Sequence, residues 1–181
     1  MTSSPAWEQL RQQIIEKAVV MGQVVLSSGR VADYYVDLRR ITLDAAASPL
    51  VGIVMRELTQ DLTFTAVGGL TLGADPVATA MMHDAARSGS LLNSFVVRKS
   101  EKNHGLQRQI EGPDVAGAHV LAVEDTSTTG SSVLAAVDAL TKVGATTVAV
   151  AVIVDRGAGP AVMERGLEYR FAYSLADLGL D

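Results

Sequence analysis

The sequence predicts an α/β fold: a parallel sheet with helices on both faces, preceded by a small N-terminal hairpin region. Three observations lead there. From Ser48 onward, strand-like and helix-like segments alternate. The strand segments Val120–Val123 and Thr146–Val154 carry almost no polar residues, as expected of strands buried on both faces. Apolar residues make up 48% of the chain but aromatics only 4%. The core mass is therefore Ala, Val and Leu, which suits close helix-on-sheet packing better than an aromatic-rich sandwich.

The elements follow in order. Ser4-Pro5 reads as an N-cap with proline in the first helical turn. Trp7, Leu10, Ile14 and Ala18 then recur at helical spacing. Val24–Leu26, the turn Ser27–Arg30 and a strand from Tyr34 to Leu38 suggest a hairpin outside the main alternation. A helix from Ser48-Pro49 to about Thr59 opens the regular pattern. A strand from Phe64 to Val67 ends at Gly68-Gly69. Asp75-Pro76 caps a helix whose apolar face is Val77, Ala80, Met81 and Ala85. Leu91 to Val97 is a strand, and a long polar segment separates it from the strand Val120–Val123. The helix Ser132–Val143 buries Val133, Val137 and Leu140 and stops at Gly144, placed as a C′ glycine. Thr146–Val154 is the last strong strand.

Length and charge bound the rest. A chain of 181 residues is expected to form one domain over residues 1–181, with about the first 40 supplying the N-terminal helix and hairpin. The absence of cysteine excludes disulfides and thiolate metal sites and fits a reducing, cytoplasmic location. A net charge of −5 argues against nucleic acid as a partner. The apolar runs are too short to span a membrane, and no signal-peptide pattern opens the chain.

In parallel sheets, ligands bind beyond the carboxyl ends of the strands. Four segments are placed there: Gly68–Asp75, Arg98–Gly117, Glu124–Ser131 and Asp155–Gly157. The third carries the clearest chemistry. It places two carboxylates, Glu124 and Asp125, before a run of hydroxyls at a strand-to-helix turn. Thr126, Ser127, Thr128, Thr129, Ser131 and Ser132 supply hydroxyls, and Gly130 allows close backbone approach. Such a turn suits a phosphate, but carboxylates do not. A ribose 5-phosphate resolves the conflict: the loop holds its phosphate, and the carboxylates accept hydrogen bonds from the ribose hydroxyls. Carboxylates also favour Mg2+ or its waters, and a sugar whose anomeric carbon becomes cationic. The Lys of a Walker loop is missing, and no dinucleotide-binding glycine fingerprint occurs.

The segment Val-Glu-Asp-Thr-Ser-Thr-Thr-Gly-Ser (123–131) resembles the phosphoribosyl-pyrophosphate (PRPP) motif of type I phosphoribosyltransferases. That resemblance implies the fold of this family. It implies ribose contacts for Glu124 and Asp125 and 5-phosphate contacts for Thr126 to Ser132, with Mg2+ carried by PRPP near Asp125 and no direct protein ligand. A second segment, Arg98-Lys-Ser-Glu-Lys-Asn-His-Gly105, gathers cations in an acidic protein. A long cationic loop suits a departing pyrophosphate, since it can close over the developing charge. The segment resembles the catalytic loop of orotate phosphoribosyltransferases. The resemblance implies PRPP contacts for Arg98, Lys99, Lys102 and His104, and catalytic roles for Lys102 and Asp125. Leu26–Arg39 is similar to that family's N-terminal hood. Asp155-Arg156 lies where the family uses an arginine for its substrate, and an arginine fork can pair with the carboxylate of orotate. Thr128 is expected to touch the base as well.

The resemblance runs from about Leu10 to Arg156 and is weak beyond Ala161. It implies transfer of ribose 5-phosphate from PRPP to orotate, giving orotidine 5′-monophosphate and pyrophosphate on the way to UMP. It further implies homodimers with shared active sites. Two departures stand out. Ser27 replaces a lysine common in the family, and Leu72-Gly73 replaces a Tyr-Lys pair of the pyrophosphate loop. Two other readings stay open: a phosphoribosyltransferase for another base, such as a purine, and a non-catalytic regulator that senses PRPP. Arg156 argues against the first. The cationic loop and the acidic charge argue against the second.

Overall fold

The computed structural model describes residues 4–25, 31–99 and 108–180. A six-stranded sheet has the order β5-β4-β3-β6-β7-β8. Its strands are β3 (Ala66–Leu70), β4 (Asn93–Val97), β5 (Ile110–Glu111), β6 (His119–Ser127), β7 (Thr146–Asp155) and β8 (Tyr169–Tyr173). Every neighbouring pair is parallel except β4 with β5. A separate antiparallel pair, β1 (Val19–Val25) and β2 (Val31–Val36), forms the N-terminal hairpin. The turn expected at Ser27–Arg30 lies outside the described residues.

Alternation along the central strands assigns the two faces. Leu121 and Val123 of β6 and Ala149, Ala151 and Ile153 of β7 join a core with α1 (Pro5–Gln13), α3 (Ser48–Leu58) and α4 (Ala74–Arg87). Val120, Ala122, Val150 and Val152 point the other way, onto Val133, Ala136, Val137 and Leu140 of α5 (Ser131–Lys142). These side chains are at most 5% exposed. At about 1.5–3 kcal/mol for each fully buried Val, Leu or Ile, this two-sided burial is what holds β6 and β7 in place. Both faces of the sheet are covered by helices, as the sequence predicts.

Ser4 caps α1 as expected, its hydroxyl accepting the Trp7 N–H at 3.1 Å. Leu10, Ile14 and Ala18 are fully buried, the last two in a short π-helical turn, Ile14–Ala18.

Several boundaries differ from the sequence expectation. The hairpin strands begin at Val19 and Val31, and Leu38 lies beyond β2 at the start of a short helix α2 (Arg39–Thr42). Strand β3 runs through Gly68-Gly69 instead of ending there. A Cβ on Gly68 would overlap Phe95 of β4, and one on Gly69 would overlap Val123 of β6. The glycines therefore let three central strands pack closely. Asp75 does not cap α4; it sits within the first turn and accepts the Thr71 hydroxyl at 2.6 Å. Leu91 is fully exposed, so β4 starts at Asn93. The sequence expectation had no counterpart for β5, α6 (Gly159–Glu164) or β8.

Candidate active site

Strand β6 does not stop at the acidic pair. It continues through Glu124, Asp125 and Thr126 to Ser127, still paired with β7 as far as Asp155. The turn to α5 is thus only Thr128–Gly130. Gly130 closes it with φ +76°, a left-handed conformation that a side chain would strain. Thr129 and Ser131 share a hydrogen bond of 3.0 Å across this turn, and the Ser131 N–H also points at the Thr129 hydroxyl. The turn therefore presents hydroxyls and N–H groups at the start of a 12-residue helix.

A cleft of about 320 Å³ opens over this strand end. Lys99, Glu124, Asp125, Thr126 and Ser132 line it from the sheet side. Tyr35, Asp37 and Arg39 line it from the hairpin and α2, and Thr71, Leu72 and Gly73 from the loop after β3. The Thr71–Leu72 peptide is cis. Loop and acidic pair touch: a Cβ on Gly73 would overlap Glu124 Oε1 and lie 2.8 Å from Asp125 Oδ1.

Burial sets the protonation of the pair. Glu124 is only 6% exposed. Burial, reinforced by the neighbouring Asp125 charge, pushes its carboxyl up to about 8. Burial also raises Asp125, opposed by the N–H of Thr126, which Asp125 Oδ1 accepts at 2.6 Å, and by the charge of Arg39. Two carboxyls held above their ordinary range in a cleft mark a functional-site candidate, and a cation bound beside them would favour their ionised form.

The other described site residues, Arg98, Ser127 to Ser131 and Arg156, do not line this cleft. Ser127 is buried at the end of β6. Its carbonyl accepts the Arg156 N–H at 2.9 Å, so Arg156 stands directly beside the Thr128–Gly130 turn. Asp155 does not pair with Arg156. Its Oδ1 accepts the N–H groups of Gly157 and Ala158 and the Tyr169 hydroxyl. Arg98 follows β4, 3.5 Å from Glu111, and its N–H reaches the Gln109 carbonyl at 2.8 Å. The cationic segment thus leaves and rejoins the sheet at adjacent points. Lys102 and His104 lie outside the described residues.

Asp37 and Arg39 had no assigned role in the sequence. The available signal was a charge pair two residues apart, directly after the hairpin. Arg39 Nε donates to Asp37 Oδ1 at 2.8 Å.

The comparisons with known proteins bear on the family. The phosphoribosyl transferase domain model matches residues 41–166. An orotate phosphoribosyltransferase of Streptomyces avermitilis is 62% identical over 175 residues, covering 95% of this chain and 96% of that one. The chain belongs to the orotate phosphoribosyltransferase family. It is accordingly a pentosyltransferase by descent, and the solved structures agree. The orotate phosphoribosyltransferase of Mycobacterium tuberculosis H37Rv in complex with Fe(III) dicitrate superposes with a TM-score of 0.87 at 55% identity, over 97% of this chain and 100% of that chain. The same Mycobacterium enzyme in complex with PRPP gives a TM-score of 0.83 at 50% identity, over 97% of this chain and all of that one. The domain match begins at residue 41, so the hairpin that brings Tyr35, Asp37 and Arg39 to the cleft lies outside it.

Proposed function

We propose that this chain, acting as one domain, transfers ribose 5-phosphate from PRPP to orotate, with Mg2+ arriving on PRPP. The observation that carries the reading is the buried Glu124–Asp125 pair, facing a cleft at the end of β6 and followed by the hydroxyl-rich turn into α5. The 5-phosphate is anchored by Thr126 to Ser132, that is by the end of β6, the turn and the first residues of α5. The pair accepts the ribose hydroxyls and so orients the anomeric carbon. Arg156, beside the same turn, pairs with the orotate carboxylate as a planar fork. Carboxylate oxygens next to a diphosphate site fit a hard cation or its waters. Mg2+ there would neutralise charge on the departing pyrophosphate. Orientation and charge stabilisation then account for the chemistry without a protein nucleophile.

The reading includes a homodimer with shared sites. An apolar groove of about 810 Å³ adjoins the cleft and shares Arg39 and Leu72 with it. Leu43 and Leu72, which line the groove, are 73% and 70% exposed. An apolar surface beside the site supports burial against a second copy.

The test is orotate consumption followed by absorbance, with PRPP and Mg2+, against purine and other pyrimidine bases. Consumption of orotate alone is expected, abolished by a chelator and restored by Mg2+. Absence of turnover, or preference for another base, overturns the assignment.

A further inference from the structure

The loop across the cleft from the acidic pair, Thr71-Leu72-Gly73, carries no cation. Nor can Gly73 take a side chain without displacing Glu124, because its Cβ would overlap the Glu124 carboxyl. A diphosphate in this part of the cleft would meet the carboxyls of Asp37, Glu124 and Asp125 and needs positive charge from elsewhere. Among the described residues, two cations line the cleft: Lys99 and Arg39.

Arg39 is oriented for the task. It opens α2, immediately after the hairpin. Asp37 Oδ1 fixes it twice, accepting the Arg39 backbone N–H at 3.3 Å and Nε at 2.8 Å. Arg39 lines the same cleft as Glu124 and Asp125, and its positive charge opposes the rise of the Asp125 carboxyl. With Nε occupied, the two terminal amino groups make no hydrogen bond among the described residues. A guanidinium held by one edge presents the other as a rigid fork, which matches phosphate oxygens bidentately. Its side chain stays half exposed, so it can meet a ligand without first leaving a buried partner.

We propose that Arg39 binds the pyrophosphate group, supplying from the hairpin side the charge that the 71–73 loop lacks, with Asp37 as its positioning residue. The inference rests on the reaction proposed above. It makes Arg39 specific for the leaving group and indifferent to the 5-phosphate, which is held at the α5 turn.

Calorimetric titration with pyrophosphate and Mg2+, and separately with ribose 5-phosphate, tests this on the full chain. Arg39→Ala is expected to weaken pyrophosphate binding about tenfold or more, the loss of a charge-assisted hydrogen-bonded pair. Ribose 5-phosphate affinity should stay within about twofold, since no contact to it is removed. Arg39→Lys, which keeps charge but loses the fork, should fall between parent and Arg39→Ala. Unchanged pyrophosphate affinity in Arg39→Ala overturns the proposal, as does an equal loss for both ligands, which would make Arg39 a support of cleft shape. Failure of the parent protein to bind pyrophosphate at all would instead sink the reading of the cleft itself, and this proposal with it.

Discussion

Tyr169 donates its hydroxyl to Asp155 Oδ1 at 2.7 Å, and the same oxygen accepts the N–H groups of Gly157 and Ala158 at 3.0 and 3.1 Å. One carboxylate thus ties β8 to the turn that carries Arg156. Asp155 is spent on that turn, and among the described residues it makes no ion pair with Arg156.

Tyr169→Phe should therefore loosen the Arg156 turn while leaving the acidic pair untouched. Removing one hydrogen bond to a carboxylate costs about 1–3 kcal/mol, which for a chain of this size lowers Tm by about 2–4 °C per kcal/mol. The Michaelis constant for orotate should rise several-fold, with that for PRPP nearly unchanged. Arg156→Lys should show the same selectivity more strongly and without the drop in Tm. Equal effects on both substrates would remove this turn from the base pocket.

Gly73→Ala probes the contact between the loop and the acidic pair. The added Cβ would overlap Glu124 Oε1 and crowd Asp125. Either the loop or the carboxyls must shift, and both face the cleft. PRPP affinity should fall by about tenfold or more, since displaced carboxyls lose their aim at the ribose. Because Gly73 lies at the cleft and not in the core, the melting temperature should move little. A variant with parental PRPP affinity would show that loop and pair do not act on one ligand.

Much of this site is legible in the sequence, because its parts are local. The β6–α5 junction needs only Glu124, Asp125, the hydroxyl run and Gly130 in one stretch, although the strand runs on through the acidic pair to Ser127 instead of ending at Val123. What was not legible depends on distant partners. Strand β5 exists because Ile110-Glu111 returns to pair with Val96-Val97. Strand β8 is defined by its register on β7. Gly68 and Gly69 look like a stop, and only the approach of Phe95 and Val123 makes them strand. Arg39 shares the cleft with Asp125, 86 residues later in the chain (125 − 39), a distance no local pattern encodes.

The protonation of the acidic pair gives a pH prediction. Glu124 has its carboxyl raised from 4.5 to about 8, first by burial and then by Asp125. Between those values the native state holds a proton that the unfolded chain has released. Stability then falls as pH rises, the slope being proportional to protons bound unfolded minus protons bound native. The contribution is full below about pH 4.5 and lost by about pH 8. Glu124→Gln removes this ionisation, so its Tm relative to parent should climb from pH 5 to pH 8, while PRPP affinity falls. A constant difference across that range would show that Glu124 is ionised in the folded protein throughout.

The proposed shared-site dimer makes the sharpest demand. Lys102, which lies outside the described residues, is expected to reach the partner's Glu124–Asp125 cleft. Lys102→Ala and Asp125→Asn should each reduce turnover by orders of magnitude, the first through kcat and the second through PRPP binding. When the two proteins are mixed and subunits exchange, a mixed dimer with loops acting in trans contains one site with both an intact Asp125 and an intact Lys102. Its other site carries both defects. Activity should then return toward a quarter of the parental level, since about half of the dimers are mixed at equal concentrations and each has one good site of two. With loops acting in cis, every site of the mixed dimer keeps one defect and no activity returns. Mass spectrometry fixes whether exchange has occurred. Confirmed exchange without recovery would place the loop in its own subunit's cleft and leave the phosphoribosyl transfer reading intact.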